Sequence, residues 1–293
     1  MSAHPGSERL SSAQPPAIAA LPGSSSALPL PERPRAGRRR WLAYAGALLV
    51  IALLVYSWIN VHGSVSQFIN GMFARKGLIR DIFPHSVPPD PKALWPGVKA
   101  AVTTLCIAIL SIAFGIVGAI AMLPLAARNI APSRTVYEIA RLIQAVLRAI
   151  PELIMLLFFL IVFGFSPFAT VVALTFHGIG VKGKLYAEAV EEMDMTPVDA
   201  LRVAGAGRIQ VFLHAVMPGV RNTLVALTMY RLDANFRSAV TLGAVGGGGI
   251  GFLIDNELNV FQYKTVLTYI IVLVAFVLAI ERVSTLLRAR LAG

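Results

Sequence analysis

Residues 196–218, TPVDALRVAGAGRIQVFLHAVMP, form a polar interruption between apolar segments of the sequence. Thr196 suits the N-cap of a helix, and Pro197 suits the first helical position because its missing N–H needs no partner there. Asp199, at the third position, can bond back to the helix start as in a capping box. Gly205 favours the left-handed conformation that ends a helix. The stretch therefore predicts a helix of about eight residues, too short to cross a membrane.

The amino-acid composition of the whole chain is typical of a membrane protein. Of 293 residues, 56% are hydrophobic and only 14% are charged, whereas roughly a quarter of the residues in soluble domains are charged. The net charge of +11 would also suit a nucleic-acid binder, but basic residues in membrane proteins chiefly report topology through the positive-inside bias. We therefore expect an all-α polytopic membrane protein surrounded by lipid, with no nucleic-acid partner.

Apolar runs predict about six transmembrane helices. The runs lie at 41–59, 100–125, 133–163, 167–179, 209–229 and 266–280. Most Lys and Arg residues fall in the segments that this arrangement places inside the cell. Both termini, and residues 196–218 with them, are therefore expected on the cytoplasmic side.

The sequence predicts four regions along the chain. They are a disordered cytoplasmic tail at 1–37, a first transmembrane helix at 38–60, an extracytoplasmic loop at 61–97 and a transmembrane domain at 98–290. The tail is rich in Pro and Ser, so it cannot bury enough apolar surface to fold. Basic residues 38–40 before an apolar run also suit a signal peptide, but the run is long for one and lacks a clean cleavage site. An uncleaved helix is favoured.

The spacing within residues 196–218 resembles the EAA loop of permease subunits in binding-protein-dependent ABC importers. The matching positions are Asp199, Ala200, Leu201, Gly205, Ala215, Met217 and Pro218. The resemblance implies a type I, MetI-like permease core in which the helix that starts at Thr196 and Pro197 is a cytoplasmic coupling helix. Such a helix docks in a cleft of the ATPase subunit. A solvated turn between two transmembrane helices is the alternative that capping residues alone leave open.

The same resemblance implies an assembly in the bacterial inner membrane. Such a permease pairs with a second copy of itself, two cytosolic ABC ATPase subunits and an extracytoplasmic solute-binding protein. ATP and Mg²⁺ bind to the ATPase subunits, so this chain is expected to hold no cofactor, no metal and no catalytic site. An intramembrane enzyme is disfavoured because its usual motifs are missing from the sequence.

Three further motifs narrow the resemblance to the phosphonate-importer permeases. They are RAIPEL at 148–153, GKLYAEAVEE at 183–192 and YRLDANFRSAVTLGAVGGGGIGF at 230–252. The resemblance implies import of a phosphonate or a related oxyanion, such as phosphite or phosphate, by alternating access. It does not separate these oxyanions. A permease for another small solute and a secondary transporter that needs no ATPase are the alternatives.

Four polar residues near the expected outer end of the fifth helix are candidates for the solute pathway. Ionisable groups are costly in a membrane unless they face a cavity or a partner. On a helix, Arg231 shares a face with Asn235, and Asp233 shares another with Arg237. If Asp233 neutralises Arg237, Arg231 remains to attract an anion. A structural lock between helices, without solute contact, is the alternative.

The glycine run at 246–251 resembles a phosphate-binding loop but lacks the Gly-Lys-Ser/Thr ending of a P-loop, so it predicts no ATP site. Close packing at a gate is favoured for Gly247, Gly248 and Gly249. Backbone N–H donors to a passing anion are the alternative.

Two further ionisable residues are interpreted structurally. Glu152 is expected to pair with Arg148, four residues earlier on the same helix face. His177 has no second ligand at metal-binding spacing in the sequence, so it is expected to be a buried, hydrogen-bonded histidine.

Overall fold

The computed structural model describes residues 36–60, 65–74 and 82–292 of the chain. The predicted cytoplasmic tail lies outside the described residues except for its last two positions, and so do parts of the predicted loop at 61–97. Within the described residues the chain forms helices and turns and no β-strand. The predicted all-α class is therefore confirmed.

The chain divides into two compact units, Met1–Gln67 and Phe68–Gly293, and each is taken by itself. In the first unit, α1 (Ala36–Asn60) is a helix of 25 residues. Its stretch Ala43–Asn60 has a mean hydropathy of 1.8, and none of these residues is buried within the chain. An apolar helix with no protein cover suits lipid, and α1 is long and apolar enough to cross a bilayer.

The second unit consists of helices that follow one another along the chain with short connections. After α2 (Val65–Phe73), at the boundary of the two units, come α3 (Phe83–Ser86), a 3₁₀ turn (Pro91–Ala93), α4 (Leu94–Ala126), α5 (Arg134–Ala149), α6 (Glu152–Phe163), α7 (Pro167–Glu191), α8 (Thr196–Val203), α9 (Arg208–Val211), a π-helical turn (Phe212–Val216), α10 (Met217–Leu242), a second π-helical turn (Gly243–Gly247), α11 (Gly249–Asn259) and α12 (Tyr263–Ala292).

Four helical stretches among the described residues are long and apolar enough to cross a membrane. They are Ala43–Asn60, Pro91–Ala126, Arg208–Gly247 and Tyr263–Leu287. A fifth is present if α5 and α6 count as one broken span. Helix α7 has 25 residues, a length of about 37 Å, but its second half carries basic side chains. Multi-pass architecture is thus confirmed, and the count of six helices stays a prediction.

The predicted third helix is not continuous. Helices α5 and α6 meet at an angle of 86°, and the break falls at Ile150 and Pro151. Ile150 has an extended backbone with ψ of 120°, the conformation that a following proline favours. Because Pro151 also lacks an N–H, it cannot continue the hydrogen bonds of α5. The single span expected at 133–163 is therefore two helices.

The fifth helix, expected to reach residue 229 or beyond, continues as α10 to Leu242. Arg231 therefore lies near the middle of α10 and not at its outer end. Beyond the second π-helical turn, α11 is a helix that the sequence analysis did not predict. The apolar periodicity missed it because the glycine run precedes it and polar residues occupy its second half.

Helices α4 and α7 pack closely because glycines face the neighbouring helix. A Cβ at Gly118 of α4 would lie 2.5 Å from the Cδ1 of Ile179 on α7, so a larger residue there would require the Ile179 side chain to move. A Cβ at Gly180, farther along α7, would lie 2.8 Å from the backbone N of Arg148 on α5. Small residues that bring helix backbones together are typical of packing in membranes, where apolar burial gives little driving force between helices. The packing fixes α7 between α4 and α5.

Candidate functional site

Helix α8 is the predicted coupling helix, and its start differs from the prediction. The Asp194 carboxylate accepts hydrogen bonds from the Thr196 backbone N–H at 3.0 Å and from its hydroxyl at 2.8 Å. Thr196 is therefore the first helical residue and not the cap, and Pro197 is the second. These two donors hold the pKa of Asp194 below its ordinary value because they favour the charged carboxylate.

The charged side of α8 is exposed. The Asp199 carboxylate does not serve the predicted capping box but accepts a hydrogen bond from Arg202 at 3.2 Å. Arg202 also donates to the backbone carbonyl of Asn129 at 3.2 Å. Ala200 is exposed beside this pair. The two charged side chains thus form a surface that water, or another protein, can reach.

The end of α8 is as predicted. Gly205 has a φ of +79°, in the left-handed region. Its N–H donates to the carbonyl of Arg202 at 3.0 Å, and the N–H of Ala206 donates to the carbonyl of Leu201 at 3.0 Å. This pair of bonds is the Schellman motif, which satisfies the last carbonyls of a helix. Pro218, the last residue of the matched loop, stands second in α10, directly after the π-helical turn at Phe212–Val216.

Helix α8 is anchored on one side and uncovered on the other. Val198 has no exposed surface, and Leu201 packs against the same apolar cluster. By contrast, the side chain of Val203 is 90% exposed, and that of Ile209 just beyond is 76% exposed. Exposed apolar side chains of this kind suit contact with another protein. An anchored helix with such a surface can pass a displacement from a partner to the helices beneath it.

The polar residues of α10 form two separate sets of contacts. Asp233 and Arg237 make an ion pair one turn apart, as expected. Asn235 is buried and donates from Nδ2 to the Ser111 hydroxyl of α4 at 3.1 Å. Asn235 therefore joins α10 to α4, which is the kind of contact that a structural lock requires. Arg231 takes no part in either set, and its Nε is buried without a hydrogen-bond partner.

A polar cluster on α7 was only partly anticipated from the sequence. The Nε2 of His177 lies 3.3 Å from a carboxylate oxygen of Glu152. The predicted pair of Glu152 with Arg148 is therefore wrong, because the bend after Ile150 separates the two residues onto different helices. His177 was expected to be buried and hydrogen-bonded; it is half-buried beside Glu152, and its Nδ1 has no hydrogen-bond partner.

Lys182 is the residue that the sequence analysis missed. It has no exposed surface, and its Nζ has no hydrogen-bond partner. Arg231 lies close enough to repel it electrostatically, and both cations act on His177. Because the apolar run ends near residue 179, the sequence predicts that the fourth helix ends there and that Lys182 lies in the cytosol. Continuation of the helix through the basic residues that follow is the signal that would have found it.

The glycine segment after α10 packs against α4 and α7. The Thr170 hydroxyl donates to the carbonyl of Gly247 at 2.9 Å, and the N–H of Ile250 donates to the Thr104 hydroxyl at 3.0 Å. Gly249 has a φ of +76°, and a Cβ there would overlap the Thr104 hydroxyl. These are the contacts of close packing, and the N–H of Ile250 is already bonded within the protein.

Comparison with known proteins gives the family. The profile of the binding-protein-dependent transport system inner membrane component family matches residues 111–293. The chain belongs to this family. The phosphite transport system permease PtxC of Stutzerimonas stutzeri is 34% identical to this permease over 250 residues, covering 85% of this chain and 90% of that protein. The phosphate-import permease PhnE of Mycolicibacterium smegmatis (strain ATCC 700084 / mc(2)155) is 38% identical over 211 residues, covering 72% of this chain and 40% of that protein.

Solved structures agree on the fold of the permease. An inward-facing structure of the MetNI methionine ABC transporter superposes with a TM-score of 0.61 at 23% identity, covering 69% of this chain and 99% of that one. The predicted MetI-like core and the predicted resemblance to phosphonate-type permeases are thereby confirmed. The chain is the membrane component of a transport system and not an enzyme, as expected from the sequence.

Proposed function

We propose that the chain is the transmembrane permease of an ATP-driven importer for a phosphorus oxyanion, such as phosphite, phosphate or a phosphonate. The observation that carries the proposal is α8. It is a short helix whose Val198 is buried in the apolar cluster, whereas Asp199 and Val203 are exposed on its surface. Ala200 and Leu201 within the helix, and Gly205 and Pro218 beyond it, belong to the loop that couples such permeases to their ATPases.

The substrate class is supported by relatives and by charge. The names of PtxC and PhnE assign phosphite transport and phosphate import to those proteins. In this chain, basic side chains lie within α7 and α10, where a passing anion would be attracted to them. The candidate pathway or gate consists of Arg231, Asp233, Asn235, Arg237, Gly247, Gly248 and Gly249.

The proposed assembly contains two copies of this permease, two cytosolic ABC ATPase subunits that bind ATP and Mg²⁺, and an extracytoplasmic solute-binding protein. It sits in the bacterial inner membrane with both termini of the permease in the cytoplasm. The positive-inside bias of the sequence supports this orientation. It places α8 where the ATPases can reach it.

The way α8 is joined to the membrane helices supports alternating access as the mechanism. The Thr196–Val203 helix leads through α9 and a π-helical turn directly into α10. Closure of the ATPases moves α8, and α10 moves with it because Val198 is held in the apolar cluster that includes the start of α10. The outward-open state then accepts solute from the binding protein, and ATP hydrolysis returns the inward-open state.

Reconstitution tests the proposal. The complete complex in proteoliposomes is supplied with loaded binding protein, and uptake of radiolabelled phosphite, phosphate and methylphosphonate is measured with and without ATP inside. We expect uptake of at least one oxyanion that requires both ATP and the binding protein. ATP-independent uptake by the permease alone would instead identify a secondary transporter. Uptake of none of the oxyanions by an active, ATP-hydrolysing complex would assign another solute.

A further inference from the structure

Lys182 occupies a notch that glycines create between α4 and α7. A Cβ at Gly115 of α4 would lie 2.5 Å from the Lys182 Nζ, and a Cβ at Gly178, one turn earlier on α7, would lie 2.6 Å from it. The ammonium group therefore fills space that any other residue at these two positions would occupy. The close approach holds the end of the side chain in one place inside the unit, away from water.

The charge in this region is not balanced. Lys182 and Arg231 are two cations within electrostatic range of each other, and neither makes an ion pair among the described residues. The nearby carboxylate, Glu152, is already engaged by His177. Two like charges in a low-dielectric interior repel strongly, and an unpaired buried charge is costly unless an opposite charge joins it. The arrangement lacks an anion.

The two cations do not lie at the ends of their helices. Arg231 lies near the middle of α10, and Lys182 lies past the middle of α7, a full two turns before the helix ends at Glu191. Long basic side chains that reach the membrane interface usually stand near helix ends. Ionisable residues so placed usually mark a substrate or ion pathway.

We infer that Lys182 and Arg231 form an oxyanion-binding site in the middle of the membrane domain. The site takes a small tetrahedral phosphorus oxyanion, and the inference rests on the proposed function for that substrate class. The planar guanidinium of Arg231 donates two parallel hydrogen bonds to two oxygens, and the Lys182 ammonium supplies a point charge. Arg231 is half-buried whereas Lys182 is enclosed, so the anion meets Arg231 first.

Asp233 and Arg237 stay outside this site. Their mutual ion pair satisfies both charges, and Asn235 is committed to Ser111. The site therefore keeps one residue, Arg231, of the four that the sequence suggested on α10, and gains Lys182 from α7. A site shared between two helices can be assembled or opened by their relative movement, which suits a transporter that must release its solute.

Thermal unfolding of the purified full-length permease tests the site without the binding protein or the ATPase. We expect phosphate, and phosphite in parallel, to raise the Tm in a saturable manner that chloride at equal ionic strength does not reproduce. Lys182→Met and Arg231→Gln abolish this rise, and Lys182→Arg retains part of it. Lys184→Met is the matched control, because Lys184 is only half-buried and pairs with Glu188 at 3.4 Å; it keeps the full rise.

The Tm without anion separates a binding site from a structural lock. Replacing an unpaired buried charge with an apolar side chain of similar length is often neutral or stabilising. Lys182→Met is therefore expected to unfold at the same or a higher temperature than the wild type when no oxyanion is present. If Lys182→Met does not fold, Arg231→Gln carries the same comparison. No rise in the wild type, or an undiminished rise in the folded variants, overturns the site.

Uptake by the reconstituted complex links the site to transport. Lys182→Met is expected to lower oxyanion uptake at least about tenfold, while ATP hydrolysis stimulated by loaded binding protein continues. Normal uptake by Lys182→Met overturns the site and leaves the proposed function intact. A wild-type complex that transports no phosphorus oxyanion, but whose permease shows the Lys182-dependent rise in Tm, retains the site and refutes the proposed function.

Discussion

Replacement of Gly205 tests whether the closed end of α8 transmits motion. The residue has a φ of +79°, and a Cβ built there meets nothing within 4 Å. The effect of Gly205→Ala is therefore confined to the backbone, where the left-handed conformation costs an L-residue about 1–2 kcal/mol. That free energy changes the population of the closed helix end by a factor of roughly 5 to 30. Gly205→Pro has a larger effect, because proline cannot adopt this φ and loses the N–H bond to Arg202.

The assay is the ratio of solute imported to ATP hydrolysed in proteoliposomes that contain the complete complex. We expect the ratio to fall in the order wild type, Gly205→Ala, Gly205→Pro, with ATP hydrolysis less affected than uptake. Gly207→Ala is the control, because Gly207 has a φ of −69° and its Cβ would lie 3.7 Å from Gln210, an ordinary contact. A wild-type ratio in Gly205→Pro, or an equal loss in Gly207→Ala, would refute the reasoning.

Three further predictions concern α8 and the residues at its start. Asp199→Lys should uncouple hydrolysis from uptake while lowering stability by at most about 1 kcal/mol, because its ion pair is exposed; Glu138→Lys, in another exposed pair, should leave coupling unchanged. Val198→Ala should lower the free energy of unfolding by about 2 kcal/mol, and the Tm with it. Val203→Ala should leave the Tm unchanged and weaken only co-purification with the ATPase. Equal Tm values in the two variants would contradict this. Because the pKa of Asp194 is lowered from 3.8, its stabilising contribution is full above that pH and is lost as the pH falls through the lowered pKa. Acid titration followed by circular dichroism should show the loss of this stabilisation below about pH 4 in the wild type and not in Asp194→Asn. Identical titration curves for the two proteins would refute the contribution of Asp194.

Features decided by local backbone chemistry were predicted well. The end of α8 at Gly205 followed from the conformation that glycine adopts most easily. The start of α8 was misassigned by one residue, since Thr196 and Asp194 are both good capping residues and the sequence does not rank them. In the structure Met195 occupies the N-cap position, and Asp194 just before it accepts both hydrogen bonds from Thr196.

Features decided by contacts between helices could not be predicted from the sequence in the same way. The bend before Pro151 was missed because hydropathy stays high beyond it, and a run of apolar residues does not record a change of direction. The pair of Glu152 with His177 depends on that bend. Lys182 was misplaced because hydropathy alone set the end of its helix, and its proximity to Arg231 is a property of the packed helices.

The uncovered apolar side chains of Val203 and Ile209 bear on how the subunit is made in the cell. A copy of the protein synthesised without its cytosolic partners displays these side chains to chaperones and membrane proteases, which recognise exposed apolar surface. In the proposed assembly a docked ATPase would cover both side chains, so their exposure would distinguish an unassembled permease from an assembled one.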